Sequence, residues 1–146
     1  MKPERFSVLL DTGVVIAHLR GFPGVAELLI SLGARGLLAT SVVTVVEVWQ
    51  GAKAREVERT QLFFSGVEVI PLETELAEAA GHLARSLREK GYTVGLADAV
   101  VAATAQHLDV PVLTTNKKHF EHVPGLRVRD LRESLSDDGT SPPGRP

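Results

Sequence analysis

Short apolar runs of strand length alternate along this chain with longer helix-like segments, and that alternation restricts the fold more than any other feature. Residues 7–10 (SVLL), 36–39 (GLLA), 67–70 (VEVI) and 110–114 (VPVLT) read as strands, and 126–129 as a last edge strand. Between them, VVIAHL reads as a short helix. Pro23 is placed to open a second helix, in which Val25, Leu28, Leu29 and Leu32 form an apolar stripe and Gly33 marks the end. Residues 41–64 read as helical in two pieces broken near Gly51. The clearest helix is 73–90, where Leu76, Ala80, Leu83 and Leu87 recur at helical spacing. Residues 97–108 predict a further helix, so rich in Ala and poor in charge that it must be buried on most sides. Strands interleaved with helices predict an α/β fold with a parallel sheet. Right-handed crossovers then gather the C-terminal ends of the strands on one rim, where ligands bind in open α/β sheets.

The bulk properties narrow the chemistry. At 146 residues the chain fits one domain with a substantial core. The expected boundaries are 1–133 for the domain and 134–146 for a tail ending in DDGTSPPGRP, a composition typical of disorder. The absence of cysteine excludes disulfides, thiolate zinc sites and a cysteine nucleophile. The apolar stretch near the N-terminus contains Asp11 and lacks a small-residue cleavage site, so no export signal is read there. No run reaches the roughly 18 apolar residues of a membrane span, and a cytoplasmic location is expected. A net charge of −2 argues against a general electrostatic binder of nucleic acid but not against a nuclease, whose clustered carboxylates lower the total.

Four polar residues stand at element ends or helix starts beside strongly apolar sequence: Asp11 after SVLL, Glu47 in SVVTVVEVWQG, Asp98 in GLADAVVAATA and Asn116 in VLTTNKKHF. Each has an ordinary explanation. Asp11 can cap the next helix, Glu47 can be a solvated side chain of a helix capped by Thr40 or Ser41, Asp98 suits a helix start, and Asn116 suits a turn. Ser41, Thr44 and Glu47, however, share one polar helix face in a Val-rich segment. Three carboxylates about 5 Å apart would repel by roughly 3 kcal/mol per pair at an effective dielectric near 20, which a shared cation relieves. Oxygen ligands without cysteine suit Mg²⁺ or Mn²⁺, and such sites perform phosphodiester hydrolysis with an activated water. The triplet Asp11-Thr12-Gly13 matches the catalytic turn of aspartic proteases, but it occurs once and in a mostly helical chain. A phosphatase of the haloacid dehalogenase type would need an Asp where Gly13 stands.

Taken in order, LLDTGVVIAHL, the S-x-x-T-x-x-E of Ser41 to Glu47 followed by Gly51, GLADAVVAATA, and LTTNKKHF with the turn HVPGL resemble the motifs of PIN domains, specifically of VapC-type toxin ribonucleases. The resemblance spans about residues 6–130. It implies a three-layer α/β/α sandwich with a central parallel sheet, Mg²⁺- or Mn²⁺-dependent endonuclease action on RNA, a small antitoxin partner and a homodimer. It implies Asp11, Glu47 and Asp98 as metal ligands, with Asn116 at a fourth catalytic position that many members fill with Asp. Thr12, Thr44 and Thr114 match positions that orient the ligands. Members with Asn at the fourth position often carry an Asp three residues later, where this chain has His119, so one metal rather than two becomes plausible.

Lys117 and Lys118 are the nearest candidates for holding RNA, with Lys53, Arg55 and Arg59 behind them. Arg20 is a candidate for reaching the rim or for meeting an antitoxin. His119 is a third RNA-binding candidate, able to contact a phosphate or help protonate a leaving group, set against its ordinary reading as a solvated turn side chain; the other histidines form no ligand pattern. Two rival functions remain at this point: a PIN-type RNA-binding domain with weak catalysis, and an RNA-processing or structure-specific nuclease without an antitoxin.

Overall fold

A computed structural model of the chain describes residues 5–137. Five strands form one parallel sheet: β1 (Phe6–Leu10), β2 (Leu37–Ser41), β3 (Glu68–Ile70), β4 (Val112–Thr114) and β5 (Val128–Asp130), in the order β3-β2-β1-β4-β5. Seven helices connect and flank them: α1 (Thr12–Leu19), α2 (Val25–Gly33), α3 (Val42–Gly51), α4 (Val57–Ser65), α5 (Thr74–Glu89), α6 (Leu96–Leu108) and α7 (Leu131–Asp137). Two 3-10 turns, Ala54–Glu56 and Lys117–Phe120, complete the described path. The α/β/α sandwich expected from the sequence is the observed fold.

Both faces of the sheet are dry, which explains why its central strands are unbroken apolar runs rather than alternating ones. Val8 and Leu10 of β1 point into one layer with Val14, Val15, Leu28, Leu29 and Val48, while Leu9 points into the other with Val101, Ala102, Ala105 and Leu87. The seven consecutive residues Ala99–Ala105 of α6 are all buried, as the lack of charge requires. Ala99, Val100 and Ala103 pack against Ala80 of α5, where small side chains let two helices approach closely.

Several boundaries differ from the sequence expectation for local reasons. Helix α2 begins at Val25, two residues after Pro23, because Gly24 at its N-cap takes a left-handed φ of 87°. Strand β4 begins at Val112: Val110 turns its N–H back onto the Ala105 carbonyl (3.1 Å), and Pro111 has no N–H. The domain also runs past residue 133. Helix α7 follows β5 directly, with Asp130 Oδ1 accepting from the amides of Arg132 (2.9 Å) and Glu133 (3.2 Å). Its Leu131, Ser134 and Leu135 are buried, so the start of the expected tail belongs to the core. The remainder of that tail, 138–146, lies outside the described residues.

Candidate metal centre

The strand order reverses direction between β1 and β4: the chain leaves β1 toward β2 and β3, then returns to the other side of β1 for β4 and β5. A crevice opens outside the strand ends at such a switch point. Asp11 and Thr114 stand on its two sides, since β1 and β4 are neighbours and the Asp11 amide donates to the Leu113 carbonyl (3.0 Å).

Asp11 is both the helix cap and a site residue. Its Oδ1 accepts from the Thr12 amide (2.9 Å), and its Oδ2 accepts from the hydroxyl of Thr114 (2.7 Å), a fully buried side chain. Glu47 arrives from α3, which springs directly from β2 with Ser41 as its cap (3.1 Å to the Val43 amide). Glu47 is exposed, yet its carboxylate accepts a short hydrogen bond from Thr12 Oγ1. The Thr12 hydroxyl also lies 3.1 Å from Thr44 Oγ1. One hydroxyl proton cannot serve two acceptors, so Thr12 donates to Glu47 and buried Thr44 donates to Thr12. Thr12, Thr44 and Thr114 therefore all orient carboxylates directly or through one another, as their positions implied.

Asp98 lies in the first turn of α6, where the positive helix end favours it. Burial raises its carboxyl above the ordinary aspartate range; the negative charges of Asp11 and Glu47 push the same way, and His119 opposes them. Asp98 thus feels both other carboxylates. Among the described residues, the acidic and histidine side chains as placed do not close into a group of three around one point. The donor set nevertheless fits a hard divalent cation: three carboxylates in one field, two of them braced by threonine hydroxyls, with no sulfur among them.

His119 is an exposed turn side chain, as expected, but it also has partners the sequence did not show: Nδ1 sits 3.0 Å from Asp98 Oδ2, and Nε2 sits 2.9 Å from Asn116 Nδ2. Asn116 consequently spends its amide on His119, and the side chain is not aimed at a carboxylate. The turn carrying both is anchored by Phe120, buried in the layer under α6. The pairing joins residues far apart in sequence, and no local pattern announces it.

The basic candidates divide. Lys118 is exposed beside the site, while Lys117 is drawn toward Glu133 of α7 (3.7 Å). Arg20 caps the C-terminal end of α1, about 12 Å of helix from Asp11. Arg59 donates to the Leu19 carbonyl at that same far end (2.8 Å). Glu56 is held below the usual carboxylate range, first by the Lys53 amide and then by Arg55, Lys53 and Arg20.

A family model described as PIN domain matches residues 8–126. Ribonuclease VapC19 of Mycobacterium tuberculosis is 35% identical over 120 residues, covering 82% of this chain and 96% of the relative. The tRNA(fMet)-specific endonuclease VapC of Shigella flexneri is 28% identical over 127 residues, covering 84% and 96%. Among solved structures, DNA-bound VapBC from Salmonella typhimurium superposes with a TM-score of 0.77 at 28% identity, covering 86% of this chain and 98% of the other. VapBC2 from Rickettsia felis, bound to a promoter DNA fragment, superposes with a TM-score of 0.78 and the same coverages; at 22% identity it speaks to the fold alone.

Proposed function

This chain belongs to the PIN domain family, and from that premise we propose that it is a divalent-metal-dependent endoribonuclease acting as the toxin of a toxin–antitoxin pair. What supports the proposal is the bonding and field around the β1–β4 crevice: Thr114 bonds Asp11, Thr12 bonds Glu47, and burial with the charges of Asp11 and Glu47 raises the Asp98 carboxyl. Resemblance to proteins named ribonucleases supports RNA as the substrate, and resemblance to VapBC complexes supports an antitoxin.

Asp11, Glu47 and Asp98 would hold Mg²⁺ or Mn²⁺, which would supply positive charge to the scissile phosphodiester and make a water more acidic. The remaining work falls to the chain. Thr114 and the Thr12 amide hold Asp11 fixed, Thr12 with Thr44 behind it aims Glu47, and the first turn of α6 presents Asp98. With the ligands already oriented, little reorganisation is needed when substrate arrives. Lys118, exposed beside the crevice, is the base placed to meet a phosphate; such contacts position a strand without reading its sequence.

Two partner surfaces follow from the same reading. An open groove of about 350 Å³, lined by His18, Leu29, Leu38 and Phe63 with Ile30 and Leu62 largely exposed, suits the apolar face of an antitoxin. Val46 beside Glu47 and Leu96 near Asp98 leave apolar surface at the rim that suits a homodimer. Among the described residues no helix is long and apolar enough to cross a membrane, which agrees with a site of action in the cytoplasm.

The test is cleavage of a mixed pool of structured and unstructured RNA by the purified protein with Mn²⁺, Mg²⁺ or EDTA, beside Asp98→Asn. Cutting that needs the metal and vanishes in the variant is expected. RNA retained without cutting, by a folded protein under every condition, would instead identify a binding domain. Growth arrest on expression, relieved by the product of a neighbouring small gene, is the outcome expected of a toxin and not of a processing nuclease.

A further inference from the structure

Hydrogen bonds through His119 and Asn116 link two of the site carboxylates, the step within Asn116 being covalent, from its side chain to its backbone. Asp98 Oδ2 lies 3.0 Å from His119 Nδ1 and His119 Nε2 lies 2.9 Å from Asn116 Nδ2; the Asn116 backbone N–H donates to Thr114 Oγ1 (3.0 Å), and that hydroxyl donates to Asp11 Oδ2 (2.7 Å). A hydrogen on Nδ1 serves the Asp98 carboxylate, and the Asn116 side-chain amide bonds Nε2 in either orientation, its NH₂ to a lone pair or its oxygen to a ring hydrogen. The turn that holds these groups is itself fixed: the His119 amide donates to the Asn116 carbonyl (3.1 Å), and Phe120 is buried against α6.

We propose that the Asn116–His119 turn is a strut that sets the spacing of Asp98 and Asp11, with His119 a positioning residue that clamps Asp98 Oδ2 and leaves Oδ1 to meet the cation. Asn116 holds the ring at Nε2 and is not itself a ligand. This rests on the metal-dependent reading of the site. The position where an acidic ligand was expected thereby braces two ligands from outside instead of adding a fourth. Groups that brace metal ligands typically change affinity or activity by about 10- to 100-fold when removed.

The test uses Mn²⁺ binding measured by calorimetry without RNA, so that it does not depend on turnover. His119→Ala is expected to weaken binding by about 10- to 100-fold. Asn116→Ala and His119→Asn each keep a donor at the Nδ1 position toward Asp98 and lose the link between the two side chains, so each should bind less tightly than the parent and more tightly than His119→Ala. The His119 side chain is half exposed (51%), and all three variants should keep the parent's melting behaviour. Nitrogen-detected spectra of the metal-free protein should show a hydrogen on Nδ1 of His119. Parent-like binding by His119→Ala, an Asn variant no better than Ala, or an Nε2–H tautomer would each overturn the strut. Asp98→Asn measured alongside separates the two claims. If Asp98→Asn binds as tightly as the parent, the metal reading itself fails; if it loses binding while His119→Ala does not, the strut alone fails.

Discussion

Replacing Thr114 by Val removes one oxygen and almost no volume from a fully buried position, so the loss can be worked from the two bonds that oxygen makes. The hydroxyl donates to Asp11 Oδ2 at 2.7 Å and accepts from the Asn116 amide at 3.0 Å. A hydrogen bond to a charged group contributes about 1.5–3 kcal/mol and a neutral one about 0.5–1.5 kcal/mol. The added methyl returns up to about 0.8 kcal/mol. Asp11 is only half-buried and Asn116 is exposed, so water can partly replace both lost bonds, which puts the net cost near the lower end, about 1–2 kcal/mol. Urea unfolding of the metal-free protein measures it, with an unchanged m-value showing that the folded state is intact. The same substitution frees Asp11 Oδ2 and should weaken Mn²⁺ binding by at least about tenfold. A stability loss below about 0.5 kcal/mol, the range of an inert surface change, together with unaltered Mn²⁺ affinity, would refute the role given to Thr114.

Three further outcomes are expected. Because burial and neighbouring carboxylates raise the folded Asp98 carboxyl above its ordinary value of 3.8, the folded state holds its proton longer than the unfolded one. Metal-free stability is then lost as pH rises from that value through the raised one. The stability advantage of Asp98→Asn over the parent should therefore grow across that window in denaturant titrations, and a flat difference would count against the clustered-charge account. At Gly13 an added Cβ would come within 2.1 Å of Thr115 Oγ1 and 3.2 Å of Thr115 Cβ. Gly13→Ala should displace the loop holding Thr114 and Asn116 and weaken Mn²⁺ binding, while the helix propensity gained, about 1 kcal/mol, keeps the melting temperature near the parent's; tight Mn²⁺ binding would contradict it. Leu135→Ala in α7, where Leu135 is 1% exposed, should cost about 2–5 kcal/mol in urea unfolding, whereas a domain ending at 133 would feel nothing.

What could be read without the structure follows from which interactions are local. Buried parallel strands announce themselves because both faces are dry: the apolar run 7–10 became β1, and the uncharged 97–108 became a helix enclosed between α5 and the sheet. Asp11 was legible as cap or ligand but not as both, since the second role depends on Thr114, over a hundred residues away. Helix α7 had a local signal in Asp130 as a cap, followed by Leu131 and Leu135 four apart. His119 had none. Its partner Asp98 comes from a different element, and only the packing of Phe120 under α6 brings the two together. The contact of Arg59 with the Leu19 carbonyl was hidden for the complementary reason, because charge in a sequence does not say which end of a neighbouring helix it meets.

The most direct measurement is the chemistry of the RNA ends left by cutting. Attack by an activated water, with three carboxylates and no free general base from the described histidine, yields a phosphate monoester on one product and a free hydroxyl on the other. Such ends are expected in Mn²⁺, with no cleavage in EDTA. A 2′,3′-cyclic phosphate formed equally well in EDTA would mean that the ribose 2′-hydroxyl is the nucleophile and that no metal is needed, and would contradict the metal-centred mechanism outright.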